Sequence, residues 1–145
     1  MKTIINIFAL LMVITIASCS KSNDDNVSPA EQQQKVQGDW YVSLYTDSGK
    51  NETSDFSGYS FVFTSDGSMS ASTSSLNFTG SWYIGDNSGD DNPSSNRLVI
   101  NITGNDRMDD VTDDWIILKL TDTEIWLKDD NEASMEELHF TRKNQ

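Results

Sequence analysis

The chain has 145 residues, 10 Lys+Arg against 23 Asp+Glu, one His, one Cys and a formal net charge of −13. That length fits one domain. The acidity excludes a nucleic-acid-binding surface and a peripheral protein held to anionic lipid, since both need clustered Lys and Arg. A single Cys excludes a disulfide framework and a Cys-based zinc site, and a single His leaves little for His-based catalysis.

Lys2 supplies a short positive start, and Ile4 to Ile16 form an apolar run broken only by Asn6 and Thr15. The run is too short for a relaxed bilayer span and fits the apolar region of a signal peptide. It ends in Ile16-Ala17-Ser18-Cys19, which resembles a bacterial lipobox: an aliphatic residue, two small residues, then Cys. The resemblance implies that Cys19 takes a thioether-linked lipid and that cleavage leaves it as the first residue. Two or three acyl chains, at about 0.8 kcal/mol per buried CH₂, hold a protein on a membrane almost permanently. The segment Ser20-Lys21-Ser22-Asn23-Asp24-Asp25-Asn26 is polar and turn-rich, and reads as a tether. Its Lys followed by paired acids also resembles the surface-export signal of Bacteroidetes lipoproteins; a plain solvated linker reads equally well. Ala30 to Val36 could make two helical turns, with Ser28 as cap and Pro29 at the first helical position.

From there on, apolar and aromatic residues alternate with period two between Gly, Asp, Asn and Ser clusters, the pattern of short strands. Trp40, Val42 and Leu44 share a face, as do Tyr59, Phe61 and Phe63, which stop at Ser65-Asp66-Gly67. Residues 68–75 read as a weak strand marked by Met69 and Ala71. Phe78, Trp82 and Ile84 follow, with Gly80 suggesting a bend or bulge. Asp86 to Ser95 reads as a polar loop, and Leu98, Ile100 and Ile102 as the next inward face. Gly104 to Asp113 reads as an acidic loop. Trp115 to Leu120 is apolar on both faces, which predicts a strand that is central or covered on both sides. Glu124 to Leu127 and Glu137 to Arg142 complete eight strands, with Leu138, Phe140 and Arg142 on one face. Short turns favour sequential antiparallel neighbours. Closing eight strands into an up-and-down barrel removes the exposed edges, with a sandwich as the runner-up.

Gly38-Asp39-Trp40 opens the first strand and Arg142 lies in the last. With Tyr59-Ser60-Phe61-Val62-Phe63, Gly80-Ser81-Trp82, Leu118-Lys119-Leu120-Thr121 and Leu138-His139-Phe140-Thr141-Arg142, the chain from Val36 to Lys143 resembles the lipocalin-like lipoproteins of Bacteroidetes, within the wider lipocalin or calycin group. The resemblance implies a barrel in which Arg142 lies over the Trp40 ring at the closed end, making Gly38, Trp40 and Arg142 a structural signature. The second and third lipocalin motifs are not evident. The expected organisation is a signal peptide over 1–18, a polar tether with room for a short helix over 19–35, and a lipocalin-like barrel over 36–145.

The chemistry-bearing residues are few. The acidic clusters are Asp86/Asp90/Asp91, Asp106/Asp109/Asp110, Asp113/Asp114 and Asp129/Asp130. Asp86 to Asp91 begins like a calcium loop, but lacks Gly at the sixth position and has Arg97 at the twelfth. These read as solvated loops, and neither a metal nor a cofactor is expected. His139 falls on the outward face of its strand. No Gly-x-Ser-x-Gly elbow, phosphate loop or dinucleotide fingerprint occurs. Trp82, Trp115 and Trp126 with Tyr41, Tyr45 and Tyr83 have the chemistry to stack a sugar, though aromatics at period two are the usual stuff of core and cross-strand pairs. The sequence therefore predicts a non-enzymatic, monomeric binding protein of the bacterial outer membrane, anchored through Cys19. Its expected ligand is a small apolar or amphipathic molecule in the barrel mouth. A protein-interaction module, such as a surface protease inhibitor or accessory subunit, is the alternative. A filled interior would favour the second, and a cavity of several hundred Å³ the first.

The lipid reading makes a direct prediction. Cys19→Ala should leave an unprocessed precursor that takes up no labelled fatty acid in a bacterial host. A variant still processed and labelled would remove the lipobox reading.

Overall fold

The computed structural model describes residues 27–85, 97–131 and 133–144. The expected signal peptide, Cys19, most of the tether and the Asp86 to Ser95 loop lie outside the described residues.

The first element is helix α1 (Pro29–Val36). Ser28 caps it: its hydroxyl accepts from the Glu31 N–H, and the Glu31 carboxylate accepts in turn from the Ser28 N–H. Pro29 occupies the first turn, where its missing N–H costs nothing. Gln32 and Val36, four residues apart, are the buried face, and α1 packs against the wall of the domain. The tether expected up to residue 35 thus ends in a docked helix.

Among the described residues nine strands follow: β1 (Gly38–Asp47), β2 (Lys50–Asn51), β3 (Ser60–Phe63), β4 (Ser68–Ser72), β5 (Asn77–Ile84), β6 (Arg97–Ile102), β7 (Asp113–Leu120), β8 (Glu124–Lys128) and β9 (Glu137–Arg142). A 3-10 turn (Thr53–Phe56) and helix α2 (Asp106–Val111) complete the set. Eight strands, β1 and β3 to β9, pair antiparallel in sequence order, and β9 returns to β1. The result is a closed eight-stranded antiparallel barrel, with β2 a two-residue extension folded back on β1.

The interior is packed along its length. Trp40, Phe61, Phe63, Ile100, Trp115, Ile125, Leu127, Leu138 and Phe140 are almost fully buried. Aromatic rings run through it edge to face: Trp82 meets Phe63 at 5.7 Å, Phe63 meets Phe140 at 5.8 Å, and Phe140 meets Phe61 at 5.3 Å between centroids. Phe61 then meets Phe56 at 6.3 Å, and Phe56 meets Tyr45 at 5.1 Å. Helix α1 covers the end where β1 starts. Because neighbouring strands alternate in direction, β6 runs parallel to β1, so α2 and the 3-10 turn cover the opposite end, with Phe56, Met108 and Val111 buried beneath them.

The same local device secures both ends. Trp40 donates its indole N–H to the carbonyl of Val36, the last residue of α1, at 2.8 Å. Trp115 donates to the carbonyl of Val111, the last residue of α2, at 2.9 Å. Each ring is buried, and each N–H is satisfied by a helix C-terminal carbonyl that would otherwise lack a partner.

Four expectations are corrected. Leu44 does not share the inward face of Trp40 and Val42: a β-bulge between Val42 and Leu44 shifts the register and turns Tyr45 inward instead. The stretch Gly104 to Asp113 is not all loop, since Asp106–Val111 forms α2, capped by Asn105. The strand β7 is not covered on both sides: Leu118 is 49% exposed, at a second register shift between Ile117 and Lys119. Gly80 makes no bulge, because β5 pairs in register through it on both sides. A Cβ there would run into the backbone of Asn101 and Ile102, so Gly80 answers to the close approach of β6.

Trp40→Ala should destabilise the chain by about 3–5 kcal/mol, the range for a fully buried large aromatic. Arg142→Lys keeps the charge but not the planar fork, and should cost about 2 kcal/mol. Chemical denaturation of the two variants against the parent checks both.

Candidate functional site

Gly38, Trp40 and Arg142 come together at the α1 end. Trp40 and Arg142 are register partners across the β1–β9 closure, and the guanidinium lies 4.2 Å from the Trp40 ring centroid. Its Nη1 donates to Gln37 O at 3.0 Å, its Nη2 to Lys35 O at 2.8 Å, and its Nε to Asp122 O. Gly38 sits at φ +134°, and a Cβ there would strike the guanidinium. Only glycine combines that backbone with that space. Three of the five N–H donors of Arg142 thus meet main-chain carbonyls, and its face covers an indole. The group is a structural clamp that ties α1, β1 and β9 together.

The opposite rim is acidic. Asp113, Asp129 and Glu136 each offer a carboxylate oxygen within 4.8 Å of the others. The three come from the start of β7, the end of β8 and the approach to β9, so separate sequence clusters converge. Burial raises the Glu136 carboxyl to about 7, reinforced by Asp47 and Asp129. Burial also raises Asp113 and Asp110. Burial pushes Asp129 upward as well, but hydrogen bonds from the Ser134 hydroxyl and from the backbone of Asn131 and Asp130 hold it below the usual carboxylate range. Three carboxylates fall short of the six to eight oxygens that calcium takes. Asp114 and Asp130 are engaged elsewhere: Arg97 Nη1 reaches their carboxylates at 3.3 and 3.1 Å and the Asp114 carbonyl at 2.9 Å, tying β6, β7 and the β8–β9 loop together.

His139 lies on the outer wall, in a row across three strands. Its ring stacks on Trp126 at 4.9 Å with an interplanar angle of 6°, and Lys119 Nζ lies 4.2 Å from the same indole. Glu124 pairs with Lys119 at 2.6 Å. Glu137 lies 3.3 Å from His139 Nε2 without the alignment of a hydrogen bond. Burial lowers the His139 pKa, opposed by Glu137. The stacked imidazole faces no hydroxyl or thiol nucleophile in this row. The Trp126–His139 partnership was not legible in the sequence, although each alternates correctly on its own strand. Trp82, Trp115 and Tyr45 are core residues, whereas Tyr41 and Tyr83 are about two-fifths exposed. Among the described residues, clefts of about 440, 380 and 380 Å³ lie along the wall and rims, beside Tyr41, Tyr83 and Arg107.

No protein-family model matches the sequence, and no curated protein matches it. The fold does have a solved counterpart. A DUF4847 family protein from Bacteroides vulgatus superposes with a TM-score of 0.53 at 13% identity, over 79% of this chain and 98% of that one. The similarity is one of fold.

The raised Glu136 carboxyl sets a pH dependence. Its folded pKa of about 7 lies above the ordinary 4.5, so between those values the folded state holds more proton than the unfolded one, and stability falls as pH rises. Glu136→Gln should therefore match the parent near pH 4.5 and melt progressively higher than it toward pH 8. Thermal melts of both chains across that range decide the matter.

Proposed function

We propose that the chain is a lipid-anchored, non-enzymatic interaction protein of the bacterial cell envelope, which binds a partner protein on the outside of a filled barrel. The observation that carries this reading is the interior. Aromatic rings occupy it from Trp82 to Tyr45, and α1, α2 and the 3-10 turn lie over the two ends. A small apolar ligand in the mouth would have to displace Phe56, Met108 or Val111. An eight-stranded barrel has room for side chains or for one small ligand, and here side chains take it. Binding then belongs to the wall and rims, where Tyr41, Tyr83 and Leu118 are exposed.

The envelope address rests on the lipobox-like Ile16-Ala17-Ser18-Cys19 and the polar stretch after it, with the outer membrane and its outer surface as the destination. The fold shared with a Bacteroides protein agrees with a Bacteroidetes source. The likeness to lipocalin-like lipoproteins rests on Gly38, Trp40 and Arg142. A non-catalytic role fits the engagement of the one His by Trp126.

The test separates interior from surface. Titration with palmitate and with an anilinonaphthalene sulfonate dye should give no saturable change in tryptophan fluorescence. Photo-cross-linking residues placed in cells at Tyr41, Tyr83 and Leu118 should yield a discrete protein adduct. Saturable palmitate binding that quenches the buried tryptophans, with no adduct at any wall position, would return the chain to the ligand-carrier reading.

A further inference from the structure

Among the described residues, the closed barrel has one seam, between β1 and β3, along which strand pairing stops short. Strands β1 and β3 pair only at Gly38–Phe63, Asp39–Val62 and Trp40–Phe61. On the same edge, β1 pairs with β2 only at Thr46 and Asp47. The cause is local. Tyr59 would stand opposite Val42, but its N–H donates to the Phe56 carbonyl, and the 3-10 turn carries the chain away from β1.

The direction of the main chain follows from one bond. The Asp39 carbonyl accepts from the Lys143 N–H and so points toward the β9 side. Alternation then points the N–H and C=O of Val42 into the seam. Tyr45, beyond the bulge, points the same way and is satisfied there: its N–H donates to Thr53 Oγ1, and its carbonyl accepts from the Glu52 N–H. Val42 finds no such partner among the described residues, although it is only 7% exposed. An unpaired peptide group in that setting carries a desolvation penalty until water or a ligand meets it.

A cleft of about 440 Å³ runs along this seam. Tyr41, Phe56 and Tyr59 form its aromatic walls. Asn105 donates to the Tyr59 hydroxyl and holds that ring in place. Ser54, Ser57 and Lys143 also line the cleft, and their side chains have no hydrogen-bond or ion-pair partner among the described residues. Tyr41 stands 42% exposed beside them.

We propose that this seam takes up a short extended peptide from a partner protein. The peptide main chain pairs with the N–H and C=O of Val42, an apolar side chain lies against Tyr41 and Phe56, and a carboxylate meets Lys143. A vacant strand rung with an adjoining side-chain pocket is the chemistry of strand addition. A fatty chain would leave Val42 unpaired. The unpaired cation within a chain of net charge −13 selects an acidic group at that end of the cleft. The proposal rests on the interaction reading above and names the site and the chemistry of the partner.

The test uses the purified full chain and a mixed-sequence pool of acetylated pentapeptides ending in aspartate, read by backbone amide chemical shifts. Saturable downfield movement of the Val42 amide is expected, together with shifts at Ser57 and Gly58. Tyr41→Ala and Lys143→Glu, both at exposed positions, should each weaken binding by about fivefold or more without changing the melting temperature. A pool ending in lysine should bind more weakly. An unmoved Val42 amide at millimolar peptide, or equal binding by both variants, would overturn the proposal. So would movement of the same amides by cellobiose or palmitate and not by the pool. Failure at Val42 while cross-linked adducts still form at Tyr83 or Leu118 would sink the seam alone; failure of both would sink the interaction reading with it.

Discussion

The structure depends on the contact between Arg142 and Trp40. A barrel exists only when its last strand finds its first, and these two residues are register partners in that closure. One guanidinium covers the indole face and donates to carbonyls of Lys35, Gln37 and Asp122. It thereby joins the C-terminus of α1, the start of β1, the β7–β8 turn and β9. Five donors in a rigid plane suit this task, and the ammonium of Lys could not reach three divergent carbonyls. Gly38 has no side chain because the guanidinium occupies that space. The far end repeats the helix-to-indole bond with Val111 and Trp115, so both ends close through a tryptophan four residues after a helix terminus.

Closure at both ends has a consequence for what the chain can do. Among the described residues, packed rings fill the interior, and on the reading proposed above binding belongs to the wall. The wall itself is uneven. Acidic side chains from three segments gather at the α2 rim, where burial and mutual repulsion lift Glu136 and Asp113. On the outer face, Lys119, Trp126 and His139 form a row of ammonium, indole and imidazole bordered by Glu124 and Glu137. Between β1 and β3, the departure of the chain at Tyr59 leaves a strand rung open beside Tyr41.

The alternation of apolar residues made the eight barrel strands legible, because a strand with one buried face must repeat with period two. It failed where a single residue changes the period. The bulge after Val42 turned Tyr45 inward in place of Leu44, and the shift at Ile117 put Leu118 in solvent. Helix α2 carries no legible helical period, because it is six residues long and presents only Met108 and Val111 to the core, within a run of aspartates. The Trp40–Arg142 clamp could be anticipated from a resemblance and from phase. The acidic triad could not, since Asp113, Asp129 and Glu136 lie in three separate segments.

What the sequence determined by itself is local: the apolar stretch before Cys19, the Ser28 cap, the strand pattern and the acidic loops, each set by residues within a few positions of one another. What only the tertiary structure decided is whatever depends on chain segments meeting: the filled interior, the rim where carboxylates shift one another, the row beside His139, and the seam at Val42. The physical reason is that burial, desolvation and hydrogen-bond satisfaction are properties of neighbours in space. Val42 reads as an ordinary strand residue until Tyr59, opposite it, turns away.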